Sequence, residues 1–370
     1  MTSFPDKLRG ALYGVAIGDG MGAPVEGWSS GQIRERFPLH DFTAFLPVTH
    51  NGDPLLGKGD GRITDDTLMT EALIRAYGRC GHHLDAYGFR DYFVPEFTQT
   101  LVWVPEHGKE MALLGRLNWI ERYTVMRLTG FGAYPRHAGI GNSINCGVAM
   151  YIMPVGAVNA GDSAGAFREA IAIAMAETDS YAVEAAAVLA AAYAEGFAQD
   201  SDIGTVCACA RTAARDGTQD AIESALAAAR AGDDLPTFIR NVREAVEPFD
   251  PKTANAPGGG RGNADQPSRL LSIEEVPVAL AALVYGDGDF IKTIRAAVCY
   301  GRDCDSIAGM ACGLYGALFG TSAIPAPLRA ACDRANRRDY LQMAGVFEGA
   351  IRRIHEADVA SCKRKSGSLA

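Results

Sequence analysis

The chain has 370 residues, 48% of them hydrophobic and 21% charged, and its 44 acidic side chains outnumber 35 basic ones to give a formal net charge of −9. That composition is one of a globular protein able to bury a large core. The acidic balance, with no basic stripe interleaved with aromatics, argues against non-specific nucleic-acid binding.

Nine cysteines form no CxxC pair and no disulfide-like spacing, so buried thiols in a reducing compartment are expected rather than a disulfide framework or a cysteine-based zinc site. The N-terminal apolar stretch is interrupted by Gly18 and Asp19, too early for a signal or membrane segment, and a cytoplasmic protein is expected. Asp6 is placed to cap a first helix in which Leu8, Leu12, Val15 and Ala16 share a face. Residues 29–62 read as loop, with a short helix around Gln32–Phe37. A helix from about Asp65 to Gly78 carries Leu68, Met69, Ala72, Leu73 and Ala76 on one side, and another covers Tyr87–Gln99.

Residues 128–147 form a glycine-rich loop too long to be idle in a compact domain. Helices follow at Ser163–Ala176 and Tyr181–Ala198; the second is built almost wholly of small residues, which predicts a central, closely packed position. Three more helices fit residues 202–247, with stops near Gly217 and Gly232. Residues 248–268 form a second loop, and helices resume at Ile273–Val284, Asp289–Cys299, Ser306–Phe319 and Pro325–Glu356. No strand alternation of convincing length and no fixed repeat interrupts the pattern. The expectation is one all-α domain over residues 1–358 with minor decoration between 80 and 130. The tail 359–370, containing Lys363, Arg364 and Lys365, is expected to be disordered.

Three acidic clusters stand at predicted helix ends: Asp19 with Glu26, Thr64-Asp65-Asp66, and Asp303 with Asp305 and Ser306. Hard divalent cations take oxygen ligands, and two aspartate pairs with adjacent hydroxyls form a donor set for two such ions. The plainer alternative is capping: Thr64 and Ser306 as N-caps, with the aspartates favoured by the helix dipole. Each cluster, however, holds more carboxylates than a cap needs. The twelve-residue calcium-loop pattern and a Walker phosphate loop are both absent.

GALYGVAIGDGMGAPVE, ITDDTLMTEALI and GRDCDSIAGMACGLYGALFG together resemble the ADP-ribosylglycohydrolase family, which includes dinitrogenase reductase-activating glycohydrolases and a J-type crystallin branch. The resemblance spans about residues 7–320. It implies a compact orthogonal all-α bundle with a binuclear Mg²⁺ or Mn²⁺ centre, and maps ligands onto Thr64, Asp65, Asp66, Asp303, Asp305 and Ser306, the last standing where the family usually has Thr. Glu26 matches a glutamate near the metals, and Asp19 matches an aspartate that braces the first motif. In the ribose- and phosphate-binding region Cys146 stands for the usual Asn and Tyr151 for the usual Arg; Tyr151 is open to a second reading as a packed core residue.

These readings predict a metal-dependent glycosidase acting on a ribosyl C1–N or C1–O bond, with Glu26, Asp65 and Asp305 at the chemistry. Asn142, Ser143, Asn145, Cys146, Gly147 and Arg261 on the two loops are candidate substrate contacts, with Tyr151 added by the resemblance. The expected substrate is ADP-ribose carried on a protein, or a smaller ribosyl or nucleoside-like metabolite. A non-catalytic, crystallin-like binding or structural protein is the alternative of a different class.

Overall fold

The computed structural model describes residues 2–49, 57–232, 234–249 and 272–369. Helix α1 (Phe4–Gly22) opens with Pro5 in its first turn, where the missing N–H costs nothing. Its N-cap position is Ser3, so Asp6 lies in the first turn rather than at the cap. Short α2 (Ser30–Arg36) is started by a capping box between Ser29 and Gln32. Helix α3 (Asp65–Cys80) ends on Gly81, whose φ of 66° is the left-handed conformation that glycine adopts at low cost.

The expected helix at 87–99 is a composite. A single turn α4 (Ala86–Gly88), a π-turn over Phe89–Phe93 and α5 (Val94–Thr98) follow one another. The decoration between 80 and 130 includes an antiparallel hairpin, β1 (Leu101–Val104) on β2 (Lys109–Ala112), paired from Leu101↔Ala112 to Val104↔Lys109. The helices then run α6 (Trp119–Val125), α7 (Met153–Val158), α8 (Ser163–Ala174), α9 (Tyr181–Phe197), α10 (Ile203–Ala213), α11 (Asp216–Arg230) and α12 (Leu235–Val246). The predicted stop at Gly217 falls inside the first turn of α11, because the break comes earlier, at Ala214 and Arg215.

After residues outside the description come α13 (Ser272–Gly286), α14 (Phe290–Tyr300) and α15 (Cys304–Phe319). The single helix expected over 325–356 divides into α16 (Ala326–Asn336) and α17 (Tyr340–Leu369), separated at Arg337, which takes a positive φ of 53°. The tail from 359, expected to be disordered, instead prolongs α17 to Leu369, with side chains largely exposed.

The core is organised around α1 lying antiparallel on α15. Gly10, Gly14, Gly18 and Gly22 recur every fourth residue and so form one stripe along α1. A Cβ at Gly14 would overlap the Cys312 carbonyl, and one at Gly18 the Ala308 carbonyl. A Cβ at Gly22 would sit 2.5 Å from Cα of Asp305. Glycine on this face is therefore required by backbone proximity. Helix α9, with alanine at most of its buried positions, packs behind α15, as its small residues predict. The consequence for function is positional: the C-terminal end of α1 is carried to the N-terminal end of α15.

Candidate metal centre

Close approach of α1 and α15 brings the segment after α1, with Glu26, against the segment before α15, with Asp303 and Asp305. The two are stitched by Gly27 N–H donating to Arg302 O (2.7 Å), Arg302 N–H donating to Trp28 O (2.8 Å), and a bridge between Ser29 and Gly301. Carboxylate oxygens of Glu26, Asp303 and Asp305 lie within 4.8 Å of one another. The start of α3 supplies Asp65 and Asp66, both buried.

Asp19 sets that start in place. Fully buried on α1, its carboxylate accepts from Thr64 N–H (2.9 Å), Thr67 N–H (3.2 Å) and the Thr67 hydroxyl (2.5 Å). A side chain from another helix thus takes the N-cap's role for α3. Thr64 occupies the N-cap position but makes no side-chain capping bond; its hydroxyl donates to Asp66 Oδ2 at 3.2 Å. Ser306 lies inside α15 and is buried, and Asp303 stands at that helix's N-cap position without a side-chain capping bond. Capping does not account for either hydroxyl.

The electrostatics are those of crowded carboxylates. Burial pushes the Asp66 carboxyl well above its usual range, and the charges of Asp305, Asp19, Asp65 and Asp303 push it further. Burial likewise raises Asp19 to about 7, against hydrogen bonds from Thr67 and with a further push from Asp305. Asp66 Oδ1 and Asp305 Oδ1 are buried and have no hydrogen-bond partner. Buried polar atoms are normally satisfied, and an unpaired carboxylate oxygen is among the costlier exceptions. The donor set is all oxygen, so the residues present fit a hard divalent cation.

Two cations among the described residues face this cluster. Lys58 Nζ is ion-paired with Glu26 and lies 3.6 Å from Asp305 Oδ2. Burial disfavours its ammonium, but Asp305, Glu106 and Asp65 outweigh that and hold its pKa above the ordinary value. Arg116 spans Glu106 and Asp65, reaching Asp65 Oδ1 at 2.9 Å, while Asn118 donates to Asp65 Oδ2 at 2.8 Å. Asp65 is therefore held in a fixed orientation by partners on the segment that follows the hairpin.

A family model described as ADP-ribosylglycohydrolase matches residues 1–359. The chain belongs to the ADP-ribosylglycohydrolase family. That family comprises hydrolases acting on glycosidic bonds. The uncharacterized protein YegU of Escherichia coli K12 is 25% identical over 355 residues, covering 92% of this chain and 95% of that one. The ADP-ribosyl-[dinitrogen reductase] glycohydrolase of Rhodospirillum rubrum is 37% identical over a shorter stretch of 79 residues, 21% of this chain and 24% of that one. A solved structure titled ADP-ribosylglycohydrolase-related protein complex superposes with a TM-score of 0.60 at 21% identity, covering 96% of this chain and all of that one, a likeness of fold.

Within this member of the family the candidate substrate residues separate. Cys146 is brought into the centre: its thiol donates to Asp303 Oδ2 at 2.9 Å, and it groups with Glu275 and Asp303. Burial and the Asp303 charge keep that thiol protonated, so it serves as a donor. Gly147 N–H donates to Asn145 Oδ1 at 3.0 Å, and the Ser143 carbonyl accepts from the Thr178 hydroxyl at 3.1 Å. Asn142 is buried, its amide nitrogen shared among Ile120 O, Thr124 Oγ1 and Glu177 O while its Oδ1 accepts from Ser143 N–H. Tyr151 takes the packed-core place that its second reading allows: it is fully buried against Phe93 and donates to Glu177 Oε2 at 2.8 Å. Arg261 lies outside the described residues.

Sequence reasoning missed Lys58, Arg116, Asn118 and Glu275, which no local motif marks. It also missed a buried pair, Glu121 and Glu177, each with an unpartnered oxygen. Burial raises Glu121 to about 7, with Asp65 adding to the push, and raises Glu177 with Glu121 as the added charge.

Proposed function

We propose that the chain is a metal-dependent glycohydrolase that cleaves a ribosyl C1–N or C1–O bond of the ADP-ribosyl type. The observation that carries this reading is the pair of buried, unpartnered oxygens, Asp66 Oδ1 and Asp305 Oδ1, in a cluster of mutually repelling carboxylates. An apolar or amide side chain would be cheaper at either position unless a cation were to be held there. Asp66, Asp303, Asp305 and Glu26 are the proposed holders of Mg²⁺ or Mn²⁺, with Thr64, Ser306 and the oriented Asp65 completing a two-ion set. When bound, such ions supply Lewis acidity and lower the pKa of coordinated water.

The chain's own residues do the rest. Breaking a ribosyl bond builds positive charge at C1, and the surrounding carboxylates favour that charge. Glu26, less buried than Asp65, Asp66 and Asp305 and paired with Lys58, is the proposed proton acceptor and donor. Arg116 and Asn118 keep Asp65 from rotating away. Ser143, Asn145 and Gly147 form the proposed rim for the sugar, and Cys146 steadies Asp303.

Two substrates fit the proposal: ADP-ribose on a protein side chain, and a smaller ribosyl or nucleoside-like metabolite. Tyr151, packed in the core where the resemblance expects an Arg, removes one guanidinium from the pyrophosphate's partners and favours the smaller substrate. Incubating the purified chain with ADP-ribosyl-arginine and with a riboside panel, with Mn²⁺ or Mg²⁺ and then with EDTA, tests both. Metal-dependent release of ribose or ADP-ribose is expected. Failure to bind either ion at millimolar concentration would overturn the reading.

A further inference from the structure

A second concave site lies between α2 with its following loop, α12 and α14. It is a cavity of about 340 Å³, within the range that takes small ligands. Four arginines line it, Arg34, Arg240, Arg243 and Arg295, and no aspartate or glutamate does. In a chain of net charge −9 such segregation is unusual. Among the described residues none of the four is ion-paired with a carboxylate. Asp234, held low chiefly by the Thr237 N–H, feels Arg240 only through space.

Aromatic residues line the same cavity. Phe37 and His40 meet edge to face at 6.3 Å, and His40 and Phe42 at 4.9 Å. Phe42 adopts a φ of 63°, a conformation costly for a bulky residue. It is held there by its N–H donating to His40 Nδ1 at 3.1 Å and by burial of its ring. Arg243 is also pre-positioned, donating to Tyr300 O at 3.3 Å with its guanidinium 4.9 Å from that ring's centroid. Unpaired guanidiniums bind phosphate oxygens bidentately, and ring faces and edges take a planar heterocycle. None of the lining residues belongs to the acidic centre.

We infer that this cavity binds a nucleotide, its phosphates on Arg240, Arg243 and Arg295 and its base against Phe37 and His40, at a site separate from the carboxylate cluster. The inference does not depend on the proposed activity.

The test is isothermal titration of the full chain, in EDTA, with ADP, AMP, adenosine and inorganic pyrophosphate. ADP is expected to bind more tightly than AMP, and both at least about tenfold more tightly than adenosine or pyrophosphate. Arg240→Gln/Arg295→Gln alters two exposed side chains and leaves the unfolding midpoint unchanged. It is expected to weaken ADP binding about tenfold or more, while Asp305→Asn leaves ADP binding intact. No ADP binding at millimolar concentration would overturn the proposal. So would binding lost in Asp305→Asn but kept in the arginine variant, or pyrophosphate binding as tightly as ADP.

Discussion

Along the seam between α1 and α15, glycine at every fourth position of α1 lets two backbones touch. At the end of the same seam, Glu26, Asp66, Asp303 and Asp305 crowd together, and two of their oxygens have no hydrogen-bond partner. The seam gains stability from closeness, through dispersion between well-packed atoms. The acidic end loses stability from closeness, through desolvation and like-charge repulsion. The closely packed seam holds the mutually repelling carboxylates together, which is how a site costly to the folded state is kept in one geometry.

The contrast can be broken first at its acidic end. Asp305→Asn is expected to lower turnover by about a thousandfold or more, roughly 4 kcal/mol of barrier. The same change should leave the metal-free chain as stable as before or more stable by roughly 1 kcal/mol, because a repelling charge is gone. Turnover assays and urea unfolding in EDTA would check the two halves, and a large loss of metal-free stability would contradict the contrast. The seam should respond in the opposite sense. Gly14→Ala places a methyl group on the Cys312 carbonyl and is expected to cost about 3 kcal/mol, read from the urea midpoint at unchanged slope.

Metal should then erase part of the difference. At a hundredfold excess over its Kd, one bound ion raises stability by about 2.7 kcal/mol, and EDTA removes that gain. A thermal midpoint insensitive to Mn²⁺ and Mg²⁺ would argue against the centre.

The pH dependence sharpens the same point. Asp19 has a folded pKa of about 7 against 3.8 for the free group, raised chiefly by burial, so the folded chain holds more protons than the unfolded one. Its contribution is full below pH 4 or so and is lost as pH rises through about 7. Metal-free urea midpoints should therefore fall between about pH 5 and pH 8. The smallest effect is expected at the C-terminus: removing residues 359–370, of which those to Leu369 extend α17, should change stability by less than about 0.5 kcal/mol.

The helical periodicity around Leu68, Met69, Ala72 and Leu73 and the small-residue run of α9 were sufficient to read α3 and α9 from the chain. The break at Arg337 was not legible, since neither Gly nor Pro marks it and a non-glycine residue takes the positive φ. The hairpin at 101–112 was missed because four-residue strands are too short to show alternation. In the site, Asp65, Asp66, Asp303 and Asp305 were legible as clusters carrying more charge than a helix cap requires. Lys58, Arg116 and Asn118 were not, because a lone cation or amide in a loop reads as solvated until its partner is known. Asn142 and Tyr151 could not be told from core residues by type alone, for the converse reason: residue types that bind ligands also saturate buried carbonyls and carboxylates.

By itself the sequence determined that the chain is helical, that glycine recurs on one face of its first helix, and that acidic residues collect at helix ends, because these are local matters of period and composition. Only the tertiary structure decided that Asp19 caps a helix other than its own, that Asp66 meets Asp305, and that Lys58 reaches Glu26. Those pairings join residues far apart along the chain, and their energies exist only once packing has removed the water between them.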